Sequence, residues 1–204
     1  MAVSVQPQGF WGMLEPVEEL ELFPSYFYKI TDPDFHEYQE GLVEWLTEYA
    51  KDKKGRTVSN YGGFQSDSSF VYEPGFEAYW ERLNTVIGHV IANHLERDHL
   101  RDFPTYNMSS CWYNINYKDN FNRCHSHPGC DLSAVFWVSG DSGRLVFPNP
   151  NIHSQWSTFR YSCAEFEPEP GTLLVFPSNM DHWVEPNKSD KPRISIAANF
   201  NLSK

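Results

Sequence analysis

The run Cys124-His125-Ser126-His127-Pro128 stands mid-chain, between two stretches that read as β-strands. Two imidazoles separated by one residue on a strand project to the same face, because side chains alternate across a strand with period two. His182 lies much further along, inside another strand-like stretch, and with His125 and His127 it makes three imidazoles that can close one side of a metal ion. Imidazole suits mid-to-late first-row metals, and the positions left open on such an ion admit oxygen chemistry. Beyond His182, Arg193 begins the strand-like run RISIAANFN. Arg193, Ser195, Ala197 and Asn199 share one face of that run, and Ile194, Ile196, Ala198 and Phe200 share the other. One polar and one apolar face suit a strand that lines a cavity and packs on a second layer. A guanidinium offers a carboxylate a planar fork, and the Ser195 hydroxyl can add a third hydrogen bond.

Each of these signals has a plainer reading. A lone His-x-His reads equally well as two turn histidines capping backbone groups. Arg193 by itself fits a surface salt bridge. A structural zinc site from Cys124, His125, His127 and Cys130 would ask one short loop to wrap a tetrahedron, whereas such sites assemble separated ligand pairs. His36, His89, His94, His99 and His153 show no ligand spacing and read as structural or solvated.

The elements that must position these residues divide the chain in two. Residues 11–22 interleave glutamates with Leu and Val and read as a surface lead-in, and Pro24–Ile30 is aromatic and β-prone. A helix fits Pro33–Lys51, with Thr31 or Asp32 as its cap, Phe35, Tyr38, Leu42, Trp45 and Tyr49 as its apolar stripe, and Gly55 beyond its end. A second helix fits Gly75–Arg97, with Phe76, Trp80, Leu83, Ile87, Ile91 and Leu95 on one side. The intervening Ser59–Asp67 is turn-rich and takes no assignment. Strand-like runs follow at Met108–Tyr117, Leu132–Ser139, Arg144–Phe147, Thr172–Phe176, His182–Glu185 and Arg193–Leu202. Helices first and many short strands after predict an α+β chain whose N-terminal helices pack on one face of a β-sandwich or jelly roll. The open end of such a barrel lets several strands contribute to one pocket.

Composition bounds the function. At 204 residues with 40% hydrophobic content, the chain suits one domain, helical over about 31–100 and strand-built over about 105–202. A formal charge of −11 argues against binding to nucleic acid or anionic membrane. No apolar stretch approaches a membrane span, and MAVSVQPQGF lacks the basic and apolar regions of a signal peptide. The four cysteines, Cys111, Cys124, Cys130 and Cys163, read as reduced thiols of a cytoplasmic protein.

The blocks HSHPGCDLSAVFWV, GDSGRLVFPNP, EPGTLLVFPSNMDHWVEPN and PRISIAANFN, in that order, resemble the iron(II)/2-oxoglutarate-dependent oxygenases. The likeness is to a prokaryotic and viral branch with His-x-His at its first metal motif. SNYGGFQS and CWYNINYKDNFN are similar to the same branch, so the resemblance runs from about Ser59 to Asn201. It implies a double-stranded β-helix (jelly-roll) core, Fe(II), 2-oxoglutarate as co-substrate, and O2. By position, His125 matches the first metal histidine, His182 the distal one, and Arg193 the arginine that pairs with the far carboxylate of 2-oxoglutarate. Ser195 matches a helper at that carboxylate. Gly143, Leu145 and Phe147 match the glycine-rich turn and strand after the first motif. Asn114 and Asn116 fall on a strand leading into the site, where the resemblance implies cofactor or substrate contacts.

Most of the superfamily carries Asp or Glu where this chain has His127. The third ligand is therefore His127, Asp131 or water; His127 is the favoured reading, with Asp131 directed at the co-substrate. Three neutral imidazoles leave Fe(II) its full double charge. The expected reaction is hydroxylation of a small-molecule or peptidyl substrate, with release of succinate and CO2. Trp112, Trp137, Trp156 and Trp183 are candidate pocket aromatics. Two alternatives are a cupin-like three-histidine dioxygenase that uses no 2-oxoglutarate, and a non-catalytic metal-binding module of the same fold.

Overall fold

A computed structural model describes residues 25–97, 105–150 and 163–203. The lead-in at 11–22, His99, His153 and Trp156 lie outside the described residues, as does the side chain of His94. The first strand, β1 (Tyr28–Thr31), leads into helix α1 (Phe35–Lys51). Phe35, Leu42 and Leu46 are its buried positions, spaced to fall on one side. Asp34 is the N-cap but makes no side-chain cap bond. The expected cap, Asp32, has another task. Its carboxylate accepts from the Asp34 amide (3.1 Å), from Tyr38 Oη (2.6 Å) and from Arg82 Nε (2.9 Å). Arg82 belongs to helix α2 (Glu77–Arg97), so one buried carboxylate joins β1 to both helices.

The stretch Ser59–Asp67 forms two very short strands, β2 (Asn60–Tyr61) and β3 (Phe64–Gln65), turning at Gly62 and Gly63. A 3-10 turn at Ser68–Tyr72 follows. After α2 come β4 (Thr105–Asn116), β5 (Phe121–His125), β6 (Leu132–Ser139), β7 (Leu145–Pro148) and β8 (Cys163–Phe166). The last three strands are β9 (Thr172–Pro177), β10 (His182–Val184) and β11 (Arg193–Ser203).

They form a larger sheet, ordered β1-β9-β6-β11-β4-β3, and a smaller one, ordered β2-β5-β10-β7-β8. All pairings are antiparallel. The larger sheet is covered on both faces. Its outer face meets the helices: Ile194, Ile196, Ala198 and Phe200 of β11 share a core with Leu42, Leu46, Leu83, Ile87 and Ile91. A second cluster contains Trp137, Leu145, Phe147, Leu174, Phe176 and Val184, with residues from both sheets. Each such buried aliphatic or aromatic side chain contributes about 1.5–3 kcal/mol. This is the α+β jelly roll with helices on one face. The polar positions of β11 face inward, toward the smaller sheet. Among the described residues, no helix is long and apolar enough to cross a membrane.

Candidate metal centre

His125 ends β5, and His182 opens β10 directly opposite it in register. From there β10 runs two residues to Val184 while β5 runs three to Asn122, so β5 carries one extra residue, a bulge. The bulge turns Asn122 and His125 to the same side, and both line the inner cavity. His127 is not on the strand. It lies in the loop beyond, its backbone amide donating to Ser178 O (2.9 Å), so the period-two argument does not describe the His125–His127 pair. The three side chains nonetheless converge, each offering a nitrogen within 4.8 Å of the others. The group contains neither cysteine nor carboxylate.

The backbone sets the tautomers of two of the rings. His125 Nδ1 lies 2.7 Å from Arg123 O, and His182 Nδ1 lies 2.8 Å from Met180 O. A carbonyl only accepts, so Nδ1 carries the proton in each ring and the Nε2 lone pair is left for a metal. Burial lowers all three pKa values, with His127 down to about 4 and His182 down to about 3. For His182 the buried surroundings include the rings of Phe147 and Phe176, at 5.5 and 5.1 Å. The imidazoles are therefore neutral at physiological pH, the form that binds metal.

Arg193 opens β11 on the inner face of the larger sheet and is 1% exposed. Nη1 donates to Ser195 Oγ (3.2 Å), while Nε and Nη2 have no partner. Burial without a counter-charge pulls its pKa down to about 10. The turn from β6 to β7 roofs its stem. A Cβ at Gly140 (φ +119°) would stand 3.0 Å from Arg193 Cα, Cβ and Cγ, and one at Gly143 (φ +87°) 3.3 Å from Cδ. Both positions thus need glycine for conformation and for space.

The inner cavity, ≈40 Å³, runs from the histidines to Arg193 and is lined also by Asn114, Asn122, Ser133, Ser195 and Asn199. Asn116 is buried just outside it, donating to Asn122 Oδ1 (3.3 Å), and its own Oδ1 is unpartnered. Asp131 is elsewhere. It lines neither the inner cavity nor the wider one described next, and its carboxylate accepts from the Leu202 amide (2.7 Å). The role read for it at the co-substrate has no support in this placement, because that hydrogen bond holds it at the far end of β11. Trp112 lines the cavity, Trp137 is fully buried among apolar side chains, and Trp183 lies outside the cavity lining.

A wider outer cavity of ≈420 Å³ opens from the histidines and is bounded by Arg56, Val58, Gln65, Trp112, Arg123 and Cys124 among others. Arg56 and Arg123 went unnoticed in the sequence, since neither has a motif around it. Arg123 stands on β5 two residues before His125, and the β2–β5 pairing brings the segment after Arg56 alongside it.

The residues suit the group that the fold implies. Three neutral imidazoles form a donor set for a divalent first-row ion, and a buried guanidinium with two idle donors needs an anionic acceptor. A jelly roll holding a metal-ligand face on one sheet and a buried arginine on the other is the arrangement that the sequence resemblance to iron(II)/2-oxoglutarate oxygenases implies. Residues 110–199, from β4 to β11, match the family described as "Putative 2OG-Fe(II) oxygenase". The matched segment contains His125, His127, His182 and Arg193. No curated protein sequence matches it. The fold is similar to a prolyl hydroxylase from Trichoplax adhaerens (TM-score 0.63, 15% identity, 86% of this chain and 83% of that one). It is also similar to a Pseudomonas putida prolyl-4-hydroxylase (0.58, 16%, 87% and 93%) and to the collagen prolyl hydroxylase of Paramecium Bursaria Chlorella virus-1 (0.59, 13%, 86% and 95%). At these identities the likeness is one of fold.

Proposed function

We propose that the chain hydroxylates an organic substrate at a C–H bond, consuming 2-oxoglutarate and O2 and releasing succinate and CO2. The supporting observation is Arg193, buried with two idle donors across a narrow cavity from three neutral imidazoles. In this reading His125, His127 and His182 hold Fe(II). When bound, iron and 2-oxoglutarate supply the oxidising power, and the protein supplies position and a dry pocket. Arg193 pairs with the distal carboxylate of 2-oxoglutarate. Ser195 Oγ already accepts from Arg193 Nη1, so its own proton is free to reach the same carboxylate. Phe147 and Phe176 keep water from His182.

We take His127 as the third ligand, because Asp131 is committed to the Leu202 amide. The four unpaired cysteines suit a cytoplasmic setting. The test is the anaerobic protein with Fe(II) and 2-oxoglutarate. A weak visible metal-to-ligand charge-transfer band is expected, followed by succinate on admitting O2. Bound metal with neither band nor succinate would overturn the reading in favour of a three-histidine dioxygenase that binds its substrate directly.

A further inference from the structure

The outer cavity carries a charge pattern that the metal centre does not require. Among the described residues, its charged lining is Arg56 and Arg123, with no Asp or Glu. This is unexpected on a chain of net charge −11. Setting aside Arg56, Arg123, Lys54 and the buried Arg193, every lysine and arginine whose side chain is described sits in an ion pair, from Lys29 with Glu169 to Lys191 with Asp141. Among the described residues, Arg56 and Arg123 have none. Asp67 and Asp181 are the nearby acids, but Asp67 is bound by Ser69, and neither lines the cavity.

Both side chains are exposed, and that of Arg123 is held in place. The Arg123 guanidinium lies 5.7 Å over the ring of Tyr61, which itself stacks on Phe121. The Arg56 amide donates to Gln65 O (2.8 Å), fixing its backbone beside β3. Trp112, Ser59 and Asn199 line the outer and inner cavities alike, so the two adjoin.

We propose that the outer cavity is the substrate pocket and that it selects molecules bearing a carboxylate or phosphate, held by Arg56 and Arg123 while another part of the molecule faces the three histidines. The proposal rests on the oxygenase reading only for which end of the substrate reacts; the anion-selecting mouth stands on its own charges. Two unpaired guanidiniums facing one cavity supply donors in the geometry that carboxylates and phosphates accept. Their uncompensated charge also raises the local concentration of anions.

Cys124, exposed and lining this cavity, offers a probe that needs neither metal nor a known substrate. In a Cys130→Ser, Cys163→Ser background of the full chain, its labelling by an anionic and a cationic methanethiosulfonate of similar size gives a rate ratio. That ratio is independent of how much thiolate is present. Relative to glutathione, the ratio should favour the anionic reagent by on the order of tenfold at low salt. It should fall toward that of glutathione in Arg56→Gln, Arg123→Gln. Inorganic phosphate or acetate should slow labelling of the parent beyond chloride at equal ionic strength, phosphate alone indicating phosphate esters and acetate alone carboxylates. A ratio equal to that of glutathione, a ratio unmoved by the double substitution, or no protection beyond chloride would overturn the proposal. A missing charge-transfer band with the labelling pattern intact would instead strike the oxygenase reading.

Discussion

Arg193 is a charge the fold keeps without a partner. Isolating a guanidinium from water and from any carboxylate costs stability, which a bound acceptor returns. Arg193→Met should therefore raise the thermal midpoint of the metal-free protein. Arg193→Ala should weaken 2-oxoglutarate by about 2–5 kcal/mol, roughly 30- to several-thousand-fold in affinity. Iron stoichiometry should hold in both, measured by titration under argon. Equal loss of metal and co-substrate would mean the arginine is only a structural group. At the same scale, His127 and Asp131 separate cleanly. His127→Ala should lose iron affinity sharply, and His127→Asp should keep it. Asp131→Asn should keep iron and lose about 1 kcal/mol of stability through the weakened bond to the Leu202 amide. Iron titrations of the three variants decide the matter, and metal loss confined to Asp131→Asn would reverse the assignment.

At the scale of elements, the histidines and the arginine are held by a bulge and by a glycine turn. The turn gives the sharper test. A methyl group at Gly140 enters the space of Arg193 in a backbone conformation that favours glycine. Gly140→Ala should thus depress 2-oxoglutarate affinity at least tenfold, about 1.4 kcal/mol, while leaving the iron site intact. Calorimetry of both ligands on one variant is the check, and unchanged 2-oxoglutarate binding would show that the turn has room to yield. The same elements explain what could be read in advance. Period-two alternation marked β11 and its two faces, because a strand with an apolar layer behind it and a cavity before it must alternate. Strand β5, Phe-Asn-Arg-Cys-His, escaped notice because its side chains serve the cavity and leave little apolar pattern. Likewise β2 and β3, two residues each, hold no periodicity to detect. His127 was placed with His125 by a strand argument, yet it is brought there by a loop anchored on Ser178. Arg56 meets the site through the β2–β5 pairing, information that no local stretch contains, whereas Arg123 sits two residues before His125 on β5 itself.

For the molecule as a whole, acid should act through the histidines before it acts through the carboxylates. Neutral burial puts the folded values of His127 and His182 at about 4 and about 3, below the ordinary 6.5. The unfolded chain therefore takes up protons that the folded one refuses. Stability present above pH 6.5 is lost as pH falls from there toward 4 and 3, by up to roughly 1 kcal/mol per pH unit for each histidine. Asp32, held down to about 2 chiefly by its bond to Arg82, contributes above its ordinary 3.8 and is lost only between there and 2. Thermal midpoints of the metal-free protein across pH 7 to 4 should decline in the histidine window, less steeply in His127→Gln. Iron should deepen the decline, since protons then compete with metal.

The ligands of the centre are divided between the two sheets: His125 and His182 stand on β5 and β10 of the smaller, Arg193 on β11 of the larger. A 2-oxoglutarate that touches iron at one end and Arg193 at the other would act as a rivet through both layers. Without it, each sheet is free to open on its own, and amide protons of β10 and β11 should exchange with deuterium at unrelated rates. With it, neither layer can part from the other without releasing the rivet, so the two sets of amides should slow together and open as one unit.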